Sequence, residues 1–78
     1  MNQEVKNEDV RNIVLFKSFV QKNVLQIIEI RKKAGFTQQF MADWINVDRR
    51  KIIALEAGNM DIELLCLYAD KLDVDINF

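Results

Sequence analysis

The residues Thr37 to Gly58, TQQFMADWINVDRRKIIALEAG, constrain this chain more than any other stretch. Thr37 can cap a helix, because its hydroxyl can accept a backbone N–H of the first turn. Met41, Ala42 and Ile45 follow at helical spacing and share one face. Asn46 then stands where that helix must end, and asparagine tolerates the left-handed conformation of a helix C-terminus. Asp48 is a second cap. Behind it, Ile52 and Leu55 give a second short run its apolar side. Gly58 closes that run with a residue free to take positive φ. Two short helices about a tight turn make a helix-turn-helix.

The flanking sequence adds two helices. Ser18 and Gln21 fit a capping box, so a first helix is expected over 18–33, with Val24, Ile27, Ile28 and Ile30 on its buried side. Arg31, Lys32 and Lys33 fill its last turn, where cations suit the helix dipole, and Ala34-Gly35 ends it. Asp61 or Asn59 can cap a fourth helix over 62–72, with Leu65, Tyr68, Ala69 and Leu72 inside. Beyond it, Asp73 to Phe78 alternates polar and apolar, the pattern of a half-buried strand that would need a partner. Ahead of Ser18, Met1–Asp9 has no period and reads as frayed. The run Ile13-Val14-Leu15-Phe16 favours β structure, yet Val10, Ile13, Val14, Val20 and Val24 also share a helical stripe. The expectation is an all-α, compact four-helix domain over 18–78, with a short C-terminal strand and an N-terminal extension over 1–17.

Composition narrows the function classes. Half of the 78 residues are hydrophobic, rich for a chain whose own core is marginal, and this points to further burial in an oligomer. With no histidine and one cysteine, Cys66, neither a disulfide framework nor a zinc site fits, and Cys66 reads as a core residue. No nucleophile stands beside a base and no paired carboxylates suggest acid–base work, so no enzyme, cofactor or metal is expected. The run Val10–Val20, broken by Arg11 and Lys17, is too short to span a membrane, and nothing resembles a cleavable signal, so the expectation is cytoplasmic. Net charge is −1, but residues 21–36 carry +3 and residues 59–78 carry −4. Such polarity lets one basic face meet a phosphate backbone.

The central stretch resembles the helix-turn-helix of phage-repressor and Cro-type transcriptional regulators, the lambda-repressor-like family. The matching residues are Thr37-Gln38, Met41-Ala42, Ile45, Val47-Asp48, Ile52 and Leu55-Glu56-Ala57-Gly58. The likeness extends back through Ile27, Ile30 and Arg31 to Gly35, and forward to Leu72. It implies double-stranded DNA as partner, with the helix over 48–56 in the major groove of a dimer's operator. Base contacts would then fall on Arg49, Arg50 and Ala54, with Asp48 opening the helix and Lys51 touching a base or a phosphate. Gln38 would hold a phosphate, and Arg31 and Glu56 would tie the first helix to the end of the recognition helix. Autoregulating antitoxins share this fold and size, so a toxin is a further partner the resemblance allows.

The acidic overall balance and two departures from the family favour another class, a helix-turn-helix module that binds a protein instead of DNA. The connection Asn59-Met60-Asp61 is shorter than the family's usual loop, which commonly touches the DNA backbone. Phe40, Trp44, Ile53 and Leu67 are large apolar residues at family positions that are usually polar. A cover for Phe40 and Trp44 is expected from the N-terminal extension, through Ile13 to Phe16, or from a second subunit or a foreign partner.

Overall fold

A computed structural model describes residues 7–76, and among them every regular element is helical. In chain order these are α1 (Asn7–Lys33), α2 (Gln38–Ile45), α3 (Arg49–Glu56) and α4 (Ile62–Lys71). Their inner faces meet in one core built from Val20, Val24 and Ile27 of α1, Met41 and Ala42 of α2, Ile52 and Leu55 of α3, and Leu64, Leu65, Tyr68 and Ala69 of α4. These are the apolar positions that helical spacing selects.

Starts and stops follow local chemistry. Thr37 caps α2 by accepting the N–H of Phe40, Asp48 caps α3 by accepting that of Arg50, and Asp61 caps α4 by accepting that of Leu64. Each satisfies a donor that the first turn leaves without an intrahelical partner. All four helices close on a residue with positive φ: Gly35, Asn46, Gly58 and Asp73. Behind each, the next amide reaches back five residues, Phe36 to Arg31, Val47 to Ala42, Asn59 to Ala54 and Val74 to Ala69. That bond, with the left-handed residue before it, is the Schellman closure.

Four expectations are corrected. The first helix begins at Asn7 instead of Ser18, and Ser18 lies inside it. A capping box cannot compete where the apolar stripe keeps helical spacing on both sides and neither glycine nor proline interrupts. Met1–Lys6 lie outside the described residues, while Asn7–Asp9, read as frayed, are helical. The strand expected at the C-terminus is absent from residues 74–76, and Asn77 and Phe78 lie outside the described residues. The closure at Asp73 turns the chain back, so Val74 and Ile76 pack on the core individually instead of lining a pleat. Cys66, expected in the core, is exposed on α4.

The extension does not cover Phe40 and Trp44. Both remain exposed, and Ile13, Val14, Leu15 and Phe16 are exposed on α1 themselves. A 27-residue helix is about 40 Å long, far more than the body can flank, and the molecule measures 52 × 22 × 16 Å. From Val10 to Phe19 every side chain is exposed, and burial begins at Val20.

Candidate nucleic-acid interface

Helix α3 is anchored on one side and open on the other. Ile52 and Leu55 face the core, which turns Arg50, Ile53 and Ala54 outward at helical spacing, flanked by Arg49 and Lys51. Arg49, Arg50, Lys51 and Ile53 are exposed and Ala54 is partly buried. The turn Asn46–Asp48 joins α3 to α2 and fixes where its first turn points. Asn46 takes φ 68°, and Val47 tucks in beside the core.

Glu56, the last residue of α3, is the hub that locks this helix to the rest. Arg31 grips it with two bonds, Nε to Oε2 at 2.9 Å and Nη2 to Oε1 at 3.0 Å. The third arm of Arg31, Nη1, donates to the carbonyl of Phe36 at 2.8 Å, tying down the loop before α2. Gln38 donates to Oε1 at 3.1 Å and the Tyr68 hydroxyl donates to Oε2 at 2.5 Å. Side chains of α1, α2 and α4 therefore converge on one carboxylate of α3. Both partners of the ion pair are under a tenth exposed at the side chain. Burial alone would raise the Glu56 carboxyl, but the bonds from Arg31, Tyr68 and Gln38 outweigh it and leave its pKa below the ordinary value. Burial and the bond to Glu56 push the Tyr68 phenol up, so it stays a donor.

Asp48 has two tasks. Its Oδ1 accepts the backbone N–H of Arg50 at 2.8 Å and the Arg50 Nε at 3.0 Å, while Oδ2 accepts Nη2 at 3.0 Å. The side-chain bond from Arg50, then its backbone N–H, hold the Asp48 carboxyl down at about 2. This pair lies in water, with the Arg50 side chain 89% exposed, so it contributes little stability and can open cheaply. With Nε and Nη2 engaged by Asp48, Nη1 keeps its N–H donors for another ligand.

Grooves flank α3 on both sides. The larger runs between the C-terminal end of α1 and the start of α2, and its walls include Lys32, Thr37, Gln38, Gln39, Arg49 and Ile53. The second is walled by Arg50, Lys51 and Ala54 with Asn59, Asp48 and Asp61. The residues singled out in the sequence thus divide into three places. Arg31 and Glu56 are joined inside; Gln38 bridges from Glu56 to the first groove; Asp48, Arg49, Arg50, Lys51 and Ala54 occupy the outer side of α3. Lys32 and Gln39 belong to this surface without having been singled out by the sequence, whereas Ile53 was expected beside the base-reading positions. The basic triplet at the end of α1 carried the signal for Lys32, and helical spacing alone separates it from the buried Arg31.

Among the described residues no helix is long and apolar enough to cross a membrane, and no cluster of metal-ligating side chains occurs. No family model, no curated protein and no solved structure matches this chain.

Proposed function

We propose that this chain is a sequence-specific double-stranded-DNA-binding transcriptional regulator of the lambda-repressor-like kind, a repressor acting as a dimer on a short inverted repeat. One observation carries the reading: α3 has a sealed inner face, a locked C-terminal end and three exposed cations on its first turn. A helix so presented fits the major groove with its N-terminal side chains at the base edges. Arg49 and Arg50 can each give guanine O6 and N7 two bonds, worth about 1–3 kcal/mol of discrimination. Ala54 and Ile53 offer apolar contact, which suits a thymine methyl. Lys51, Lys32 and Gln38 line the flanking grooves, where the two phosphate backbones would run. A dimer would set two such helices about 34 Å apart, one turn of DNA. An antitoxin with a toxin partner is a variant of the same reading.

A second reading, a protein-interaction module, draws on a different observation. Phe36, Phe40 and Trp44 form a continuous aromatic row with ring centroids 4.6 and 5.3 Å apart along it. Two of its rings are about 40% exposed, and apolar surface left in water costs about 25 cal/mol per Å². Mobility shifts with random-sequence DNA at low and moderate salt separate the two. A regulator binds at low salt, weakens steeply with salt and then selects a site from a random pool. A module that binds protein does none of these.

A further inference from the structure

The outer side of α3 divides into two pairs of side chains, each a cation followed one turn later by an apolar residue. Arg49 and Ile53 form the α3 wall of the larger groove, and Arg50 and Ala54 that of the smaller one. The pairs are unequal. Arg50 is held by Asp48, and Ala54 is partly buried and ends at its Cβ. Among the described residues no carboxylate pairs with Arg49, and Ile53 is 39% exposed. Ile53 is thus a branched apolar side chain set among exposed polar ones, since Arg49, Lys32 and Gln39 line the same groove. Its neighbour Ile52 is fully buried, so the core takes its share of α3 and leaves part of Ile53 in water.

We propose that Ile53 is a specificity-determining residue that reads the 5-methyl group of a thymine, about one or two base pairs from the guanine read by Arg49. The inference rests on the DNA reading given above and deepens it, because it names the bases the site selects and their separation. The chemistry of the major groove makes the assignment. Every base pair presents hydrogen-bond donors and acceptors there, and the apolar group on that surface is the C5-methyl of thymine. Isoleucine pressed against a guanine O6 or a cytosine N4 strips water from it and returns no hydrogen bond. Against a thymine methyl the same burial is favourable. Ile53 therefore selects in both directions, for thymine and against a bare polar edge. The separation follows from the helix. Four residues rise about 6 Å, and successive base pairs stand about 3.4 Å apart. A helix lying along the groove sets the two contacts about two steps apart, and an inclined helix brings them to one.

The test is binding of the full chain to a selected operator, by fluorescence anisotropy, with each thymine replaced in turn by deoxyuridine. The replacement removes one methyl group and keeps the base pair and its hydrogen-bonding edge. At one thymine in each half-site, affinity should fall about fourfold, the equivalent of about 0.8 kcal/mol for one buried methyl group. Ile53→Ala should weaken binding to the unmodified operator and should bind the thymine and deoxyuridine forms equally at that position. Arg49→Ala should relax the preference for guanine one or two base pairs away and keep the methyl effect. Should Ile53→Ala lower helicity in far-UV circular dichroism, Ile53→Val replaces it, with a smaller effect in the same direction. Wild type indifferent to deoxyuridine at every thymine would overturn the inference. An Ile53 variant as sensitive to deoxyuridine as wild type would overturn the role of Ile53, and a sensitive thymine farther than two base pairs from the Arg49 guanine would overturn the pairing. A chain that selects a site and ignores the methyl sinks the inference alone; a chain that binds no duplex sinks the DNA reading and the inference with it.

Discussion

Arg50 lies back on Asp48, the residue that caps its own helix, so an exposed cation of the first turn of α3 is held by a carboxylate two positions before it. The arrangement keeps the guanidinium in a defined place while costing little to undo, since the pair is solvent-exposed. It also sets a negative charge on the surface proposed to meet DNA.

Replacing Asp48 separates its two tasks. Asp48→Ser keeps a cap and should change stability by no more than a few tenths of a kcal/mol, while Asp48→Ala should cost about 1 kcal/mol. Both remove the charge, and both should tighten binding to specific and random DNA alike. Urea unfolding and fluorescence titration read the two effects independently.

The Glu56 hub should dominate stability. Removing Glu56 alone strands a buried guanidinium and is expected to cost about 3–5 kcal/mol, whereas replacing Arg31 and Glu56 together by apolar residues should cost far less. The pH dependence has a definite sign. The folded pKa of Glu56 lies below its ordinary 4.5, so its contribution is present above that value and is lost as pH falls below it. That of Tyr68 is raised, so its contribution is present below the ordinary 10.0 and fades at higher pH. Thermal melts should therefore show Glu56→Gln flattening the acid limb and Tyr68→Phe flattening the alkaline one.

Trp44 reports on the aromatic row. It sits against Phe40 and Phe36, with Lys71 Nζ 5.5 Å from its ring, and it is 40% exposed. Its emission at high dilution should be unmoved by deletion of residues 1–17. Lys71→Ala should cost about 0.5–1 kcal/mol of cation–π attraction and alter the spectrum. A red shift on the deletion would mean that α1 covers the ring after all.

Asp73 closes α4 at φ 57°, where glycine is better suited, and its charge lies at the negative end of the helix dipole. Asp73→Gly should raise stability by about 0.5–1 kcal/mol, and Asp73→Val should lower it by more.

Much of this architecture was legible because it is written in local chemistry. Thr37, Asn46, Asp48 and Gly58 name their own backbone states, and the spacing of Met41, Ile52 and Leu55 fixes which sides turn inward. The C-terminal end is ambiguous in sequence because Val74 and Ile76 satisfy two patterns. Strict alternation suggests a pleat, but an apolar residue behind a left-handed one equally closes a helix, and only the packing of Ala69 and Tyr68 decides. Ser18 is ambiguous for a related reason: a capping pair carries no information about whether the helix has already begun. The pairing of Arg31 with Glu56 came from family resemblance, while the shares of Gln38 and Tyr68 in it depend on how α2 and α4 are set against α3. No local pattern encodes that.

Arg49 and Arg50 carry the proposed recognition of DNA bases. Titration of a selected operator and of random-sequence DNA with wild type and with Arg49→Ala/Arg50→Ala measures their contribution most directly. The double variant should lose about 2–6 kcal/mol on the operator and much less on random DNA, with relaxed preference at the positions those arginines read. Lys51→Ala should instead weaken every sequence about equally and reduce the salt slope by about 1. Wild type and double variant binding both DNAs with the same affinity would contradict the central claim.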